Sequence, residues 1–388
     1  MRKFRHLPVS PALMALGCAF VLLAVAASAQ DVPKQNLRLI QEIPIRLPSS
    51  ATPLAGAPQC DNNGALYFRV SQDGSSSPQK TPIIAVSSTG FPDRMFSLSS
   101  VPGYDLSTTA SVIDFVVGDT GDVYVLASKA AINGPDPDLD LIRFSSGTRY
   151  LSTLRLSHFY LPRRFAVLTG GSYFLLALDR DFSVPGPIRQ FLESSFVYPV
   201  GLFFGSKGKL VREIALPDTT KPTLTATAAS LDHSAQPAGS DPAFVATSYD
   251  GTIYVVRHKP DLAVYVITDS GATVDSLNVT APFPKAEIVG IAPAGPRKLA
   301  IEFAHPSAAP SFDDGNAVFS IIDAESGERL VDYQATPETA GSLGCPTPVG
   351  FELLAHQPNG NLAIRFVSAP KPADGTNSST STEKSPVR

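Results

Sequence analysis

The chain has little of what most reaction centres are made from. Of its 388 residues only six are histidine and three cysteine, and charged residues make up 17%. Apart from His6 near the N-terminus, the histidines His158, His233, His258, His305 and His356 are widely separated, with no His-x-Glu or paired spacing of the kind that holds zinc. No Gly-x-Ser-x-Gly elbow, phosphate-binding loop or dinucleotide fingerprint occurs. A formal net charge of −4 gives no basic footprint for nucleic acid, so a nucleic-acid partner is not expected. Beyond the N-terminus no apolar run approaches membrane length, and no membrane association is expected once the leader is removed.

What is abundant is proline (35) and glycine (28), the composition of many strands and many turns. The N-terminus reads as a signal peptide over residues 1–29. Arg2, Lys3 and Arg5 form a basic start, Ala12 to Ala27 is an uncharged apolar run, and Ala27-Ser28-Ala29 is a small-x-small cleavage pattern. The expected location is therefore secreted or periplasmic. The far end, residues 368–388, is polar (one Val in Lys371 to Arg388) and reads as a disordered tail, because it cannot bury enough surface to offset its ordering entropy.

Between these ends, residues 30–367 repeat one phrase: Gly64-Ala-Leu-Tyr-Phe68, Gly121-Asp-Val-Tyr-Val125, Gly251-Thr-Ile-Tyr-Val255 and Gly360-Asn-Leu-Ala-Ile364. Looser copies begin at Gly171 and lie at Leu299 to Phe303. A glycine turn followed by two-residue alternation is a hairpin signal, and its recurrence signals a β-propeller. Each repeat parses as an inner strand, a turn, a second strand, a variable loop and an outer hairpin. The second runs Val112 to Gly118, Val123 to Ser128, Leu139 to Phe144 and Tyr150 to Leu156. The turn positions are Gly64, Gly121, Gly171, Gly251, the neighbourhood of Gly295, and Gly360. The last repeat has strands at Gly350 to Ala355 and Leu362 to Val367 but no outer pair, while Leu37 to Leu47 is a strand with no repeat of its own. The expectation is an all-β, six-bladed β-propeller of four-stranded antiparallel blades, its ring closed by the N-terminal strand.

The stretches Asp61 to Phe68, Asp119 to Val125 and Tyr249 to Val255 resemble the Asp-x-x-Gly-x-(Ile/Val)-Tyr-Val turns of NHL and TolB-like propellers. That resemblance covers most of residues 37–367 and implies a fold. Such families include binding scaffolds, secreted lactonases and sugar dehydrogenases, so it does not fix an activity.

A propeller enzyme of that kind would work in the central channel. Seven residues before the turn glycines stand Ala57, Asp114, Arg164, Phe244 and Leu353, which is not a calcium constellation. No cofactor is therefore expected. The alternative, a lactonase or sugar-dehydrogenase type with Ca2+ in the channel, has Asp114, Glu287 and Glu352 as its candidate ligands. Asp114 and Arg164 are also placed to pair across adjacent blades. Asp136, Asp138 and Asp140 alternate like the start of a calcium loop, as do Asp313 and Asp314 beside Phe312, yet the glycine and distal glutamate of such a loop are missing. These acids and the aromatic Phe182 lie in or near connections between second and third strands, which share one rim. The preferred expectation is a non-enzymatic propeller that binds a protein or glycan partner there, with Asp136, Asp138, Asp140, Phe182, Phe312, Asp313 and Asp314 as the candidate contact residues. Cys60 and Cys345 remain after cleavage and permit one disulfide. The repeat register argues against it, since Cys60 lies four residues before its turn glycine and Cys345 fifteen before Gly360.

Overall fold

The structure, a computed structural model, describes residues 32–47, 51–54, 57–72, 74, 77, 80–105, 108–129, 138–156, 161–180, 196–216, 243–248, 250–257, 262–305 and 316–370. The signal-peptide residues 1–29 lie outside these, as do residues 371–388 of the expected tail. Residues 368–370 belong to the folded chain: Ser368 ends a strand, and Ala369 N–H donates to the Val349 carbonyl at 2.8 Å.

Among the described residues, twenty-six strands follow one another. Two come before the first blade, β1 (Lys34–Asn36) and β2 (Arg38–Pro44). Blade 1 has a split inner strand, β3 (Ala51–Pro53) and β4 (Gln59–Cys60), followed by β5 (Leu66–Gln72), β6 (Ile83–Val86) and β7 (Pro92–Phe96). Blade 2 is β8 (Ala110–Val117), β9 (Val123–Lys129), β10 (Asp138–Phe144) and β11 (Tyr150–Leu156). Blade 3 is β12 (Leu161–Val167), β13 (Tyr173–Arg180), β14 (Phe196–Phe204) and β15 (Leu210–Ala215). Blade 4 is β16 (Ala243–Thr247), β17 (Ile253–Arg257), β18 (Ala263–Ile267) and β19 (Val274–Asn278). Blade 5 is β20 (Glu287–Pro293), β21 (Lys298–Ala304), β22 (Val318–Asp323) and β23 (Arg329–Gln334). Blade 6 is β24 (Ser342–Thr347), β25 (Gly350–His356) and β26 (Leu362–Ser368), with β2 as its outermost strand. The inner strands β4, β8, β12, β16, β20 and β24 touch in that order, and β24 returns to β4. The chain is a closed six-bladed propeller.

The core consists of one apolar layer per blade interface, because each blade buries both faces and two-residue alternation sends side chains to the blade before and the blade after. Tyr67, Phe96, Phe115 and Phe144 fill the layer between blades 1 and 2. Phe165, Leu175 and Leu202 do so between blades 2 and 3, and Phe174, Phe203 and Tyr265 between blades 3 and 4. Tyr254, Ile301 and Phe303 separate blades 4 and 5, Phe319, Phe351 and Leu353 separate blades 5 and 6, and Leu66, Phe68, Ile364 and Cys345 seal blade 6 against blade 1.

The sequence reading misframes the sixth blade by one strand. Gly360 sits between its second and third strands rather than its first and second, because the inner strand Ser342-Leu-Gly-Cys-Pro-Thr347 lacks apolar alternation and does not read as a strand. Only the outermost position is vacant, and β2 fills it by pairing antiparallel with β26. Glu42 of β2 accepts from Gln357 Nε2 and from Arg365 Nε, both at 2.7 Å, and these hydrogen bonds, Gln357 first, hold its carboxyl below the usual range. The preceding β1 runs parallel to β23 as a fifth strand of blade 5, and Leu37 between them is buried.

The turns explain the glycines. In each hairpin joining third to fourth strand, the residue four into the turn has positive φ: Gly90, Gly208, Gly271 and Gly327 in blades 1, 3, 4 and 5. Blade 2 places Thr148 there, at φ 66, although its turn also contains Gly147. A β-branched residue is strained in that region by roughly 1–2 kcal/mol. Thr148→Gly is therefore expected to raise the unfolding free energy by about 1 kcal/mol. A urea midpoint that rises with unchanged m-value would show it, and an unmoved or lower midpoint would refute it.

Candidate functional site

Antiparallel order divides the connections between two faces of the ring. Turns from first to second strand (61–65, 118–122, 168–172, 248–252, 294–297) and from third to fourth (87–91, 145–149, 205–209, 268–273, 324–328) leave from one face and are all tight. The connections from second to third strand, 73–82, 130–137, 181–195 and 305–317, leave from the other. The chain crosses between blades on that face too, including at 216–242. The exceptions are 258–262 and 357–361, which are short. With those exceptions, the short connections therefore leave from one face and the long ones from the opposite face.

The expected channel acids do not converge. Glu287 is exposed at the start of β20, opposite Ala304. Glu352 lies on β25, a second strand, because of the frame shift described above. It is paired with Cys345 and turned towards blade 1, with its Oε1 atom near Gly64. Asp114 is on the inner strand β8, as Glu287 is on the inner strand β20. Its Oδ2 accepts from the Phe165 N–H at 3.2 Å, and its Oδ1 lies 3.8 Å from Arg164 Nη1. Burial pushes its carboxyl up to about 6, against the opposing pull of Arg164 and the backbone donors. The Arg164 guanidinium lies 5.8 Å from the Phe244 ring centre, so the three residues align across blades 2, 3 and 4. Among the described residues, no group of three or more His, Cys, Asp or Glu is placed to hold a metal ion.

The inner ring is instead a series of polar pins. Gln59 reaches from blade 1 to blade 2, donating to the Phe115 carbonyl at 2.6 Å and accepting from the Val117 N–H at 3.0 Å. Asp114 pins blade 2 to blade 3. Glu302 pins blade 5 to blade 6, accepting from the Leu343 N–H at 2.7 Å. Cys60 and Cys345 close blade 6 on blade 1 in a disulfide with a Cα–Cα separation of 5.7 Å. The cysteines meet despite their different offsets from the turn glycines because Cys345 stands on the inner strand β24, which lies beside β4.

The sequence reading did not single out Glu302, although its signal is visible as one carboxylate inside the apolar strand Leu299-Ala-Ile-Glu-Phe303. It occupies the second-strand position held by Leu126, Leu176 and Val256 in blades 2, 3 and 4. Glu352 and Arg69 hold it in blades 6 and 1. Burial raises the Glu302 carboxyl from its usual value to about 8. A group whose folded value is raised contributes stability fully below its unfolded value of about 4.5, and that contribution is lost as the pH rises through about 8. Glu302→Gln keeps an acceptor for Leu343 and removes the titration. The variant is expected to match the parent at pH 5 and exceed it in urea midpoint at pH 8.5. An equal pH dependence in both proteins would exclude this.

Of the rim candidates, Asp136, Phe182, Phe312, Asp313 and Asp314 lie outside the described residues. Asp138 and Asp140 are not loop residues but part of β10. Arg155 Nη1 reaches Asp138 at 2.8 Å, and Arg155 Nε donates to Asp140 at 3.0 Å. The Tyr104 hydroxyl donates to Asp140, which is 1% exposed, at 2.9 Å. Asp138 and Asp140 tie β10 to β11, Asp140 also to the crossing into blade 2, and both oxygens of Asp140 are committed to those partners. A further feature unseen in the sequence is a cleft of about 650 Å³ where the closing segment passes blade 1, lined by Leu47, Val70, Ile84 and Met95 with Arg46 and Arg94.

No family model matches the chain, and no curated protein matches it in sequence. Solved structures do match in fold. A protein of unknown function from Dyadobacter fermentans superposes with a TM-score of 0.51 at 12% identity, covering 86% of this chain and 100% of that one. The virginiamycin B lyase of Staphylococcus aureus (TM-score 0.45, 11% identity, 86% and 100% covered) and a putative TolB from Agrobacterium tumefaciens (0.41, 13%, 82% and 91%) are also similar. At such identities the likeness concerns the propeller fold alone.

Proposed function

We propose that the chain is a secreted or periplasmic, non-enzymatic propeller that holds a protein or glycan partner on its loop-bearing face. The supporting observation is the one-sidedness of the connections. Tight turns occupy one face, whereas 73–82, 130–137, 181–195, 216–242 and 305–317 all depart from the other. Long connections raised on a rigid ring are where binding sites reside. The buried acids Asp114 and Glu302 are spent on joining blades, and Glu287 and Glu352 do not join Asp114 in one cluster, which weighs against a lactonase or sugar-dehydrogenase chemistry in the channel.

The test compares the full chain with a variant in which 131–137 and 311–315 are replaced by Gly-Ser dipeptides. Asp138 and Asp140 stay in place because they hold β10. Both proteins are screened against an immobilised glycan panel and against periplasmic proteins by crosslinking. A ligand bound by the parent and weakened at least about tenfold in the variant, a loss of about 1.4 kcal/mol, supports the reading. Equal binding by both, or turnover of a lactone or sugar by the parent, overturns it.

A further inference from the structure

The seam between blades 6 and 1 contains a chemical arrangement that binding on the opposite face does not explain. Cys345 and Glu352 are direct cross-strand partners, so their side chains share one face of blade 6, with Cβ atoms about 5 Å apart. That face looks onto blade 1, where Cys60 completes the disulfide and where Gly64 lies beside Glu352 Oε1. Glu352 is 8% exposed, and its Oε2 is buried without a hydrogen-bond partner. The nearby Asp61 cannot serve it. Its oxygens already accept from the Asn63 and Ala65 N–H groups, the Tyr67 hydroxyl and Arg94. The ion pair of Arg365 with Glu42 stands on adjacent register positions of β26 and β2, facing the other way from Glu352.

We infer that Cys60, Cys345 and Glu352 form a thiol-exchangeable clasp at the closing seam of the ring, in which Glu352 supplies the proton to the sulfur that Cys345 releases. Cys60 is partly exposed and Cys345 is 4% exposed, so a thiolate from outside reaches Cys60. Attack by one thiolate of a small dithiol forms a sulfur–sulfur bond to Cys60 Sγ and breaks the Cys60–Cys345 bond, and the electron pair passes to Cys345 Sγ. A thiolate in that desolvated place is costly, and a lower leaving-group basicity speeds exchange. The Glu352 carboxyl meets both demands by giving Cys345 its proton and becoming a carboxylate. The second thiol of the dithiol then loses its proton to water and attacks the dithiol's own sulfur in the mixed disulfide, breaking its bond to Cys60 Sγ, and the released Cys60 thiolate takes a proton from water. One dithiol is oxidised to its disulfide, one protein disulfide is reduced, and Glu352 regains its proton from solvent. In reverse, the Glu352 carboxylate draws the proton from Cys345 and arms it to reform the bond.

Burial, and secondarily the Asp61 charge, raise the Glu352 carboxyl to about 7, so it carries the needed proton at mildly acidic pH. The experiment follows reduction of the oxidised full chain by dithiothreitol from pH 5.5 to 9, with rates divided by the dithiothreitol thiolate concentration. The parent is expected to lose at least about tenfold in this normalised rate as pH rises through 7, the low end of what a placed acid supplies. Glu352→Gln is expected to be slow and flat across the range. Glu302→Gln, a buried acid at the equivalent position of blade 5 that bonds the Leu343 N–H and is not the cross-strand partner of Cys345, should keep the parent profile. A flat parent profile overturns the inference even if Glu352→Gln does not fold. So does an equal profile in parent and Glu352→Gln, or a rate that rises with urea as steeply as global unfolding.

Discussion

Replacing Cys60 and Cys345 together by serine is expected to lower the unfolding free energy by about 4 kcal/mol. The bond spans 285 residues, nearly the whole ring, and constraint of the unfolded chain grows with the loop closed, towards roughly 5 kcal/mol for the longest loops. The position adds a second effect. Cys345 is packed with Leu66, Leu354 and Ile364 in the layer between blades 6 and 1, so its replacement puts a hydroxyl into an apolar seam. Urea unfolding of the oxidised parent and the double variant measures the difference. A loss under about 1 kcal/mol would mean that the seam does not depend on the bond.

The other large effect belongs to the outer closure. Removing residues 30–46 takes β2 from β26 and β1 from β23, and exposes the cavities left by Leu37 and Ile45, each worth about 2–3 kcal/mol. It also strands Arg365. Its side chain is 7% exposed and would keep only the Ala340 and Pro337 carbonyls after Glu42 is gone. Breaking a buried pair from one side costs roughly 3–5 kcal/mol. The sum reaches the usual total stability of a domain, about 5–15 kcal/mol, so the truncated chain is expected to lose cooperative unfolding and to aggregate through the bare β26 edge. A synthetic peptide of residues 30–47 should restore the transition in trans. A truncated protein that unfolds cooperatively within about 2 kcal/mol of the parent would contradict this account.

The blades were legible because their turn residues carry local information. Gly64, Gly121 and Gly251 announce turns, and Leu66 to Phe68 or Ile253 to Val255 announce strands, without reference to anything distant. The sixth blade was misframed where that information fails, at the Gly-Cys-Pro inner strand. One misplaced strand then moved Cys345 and Glu352 to the wrong places. A disulfide was argued against, and a seam acid was taken for a channel ligand. Asp138 and Asp140 misled for a related reason. Alternation of acids looks the same in a cation loop and on the polar face of a strand, and only Arg155 and Tyr104, from elsewhere in the fold, decide between them. Pairing of Asp114 with Arg164 was readable because both belong to blades framed correctly.

The closing strand also sets an order of events during synthesis. Residues 34–44 leave the ribosome before any blade, yet their partners are in β23 and β26, and Glu42 waits 323 residues for Arg365. A growing chain can pair strands within each blade as it emerges, but its first strands have no place until the last one arrives. Such distant pairing is slow to form and exposed to error in the meantime. The final segment through Ser368 therefore acts as the completion signal of the ring, and a product halted even one strand early keeps an idle N-terminus and an open blade that quality-control proteases can grip.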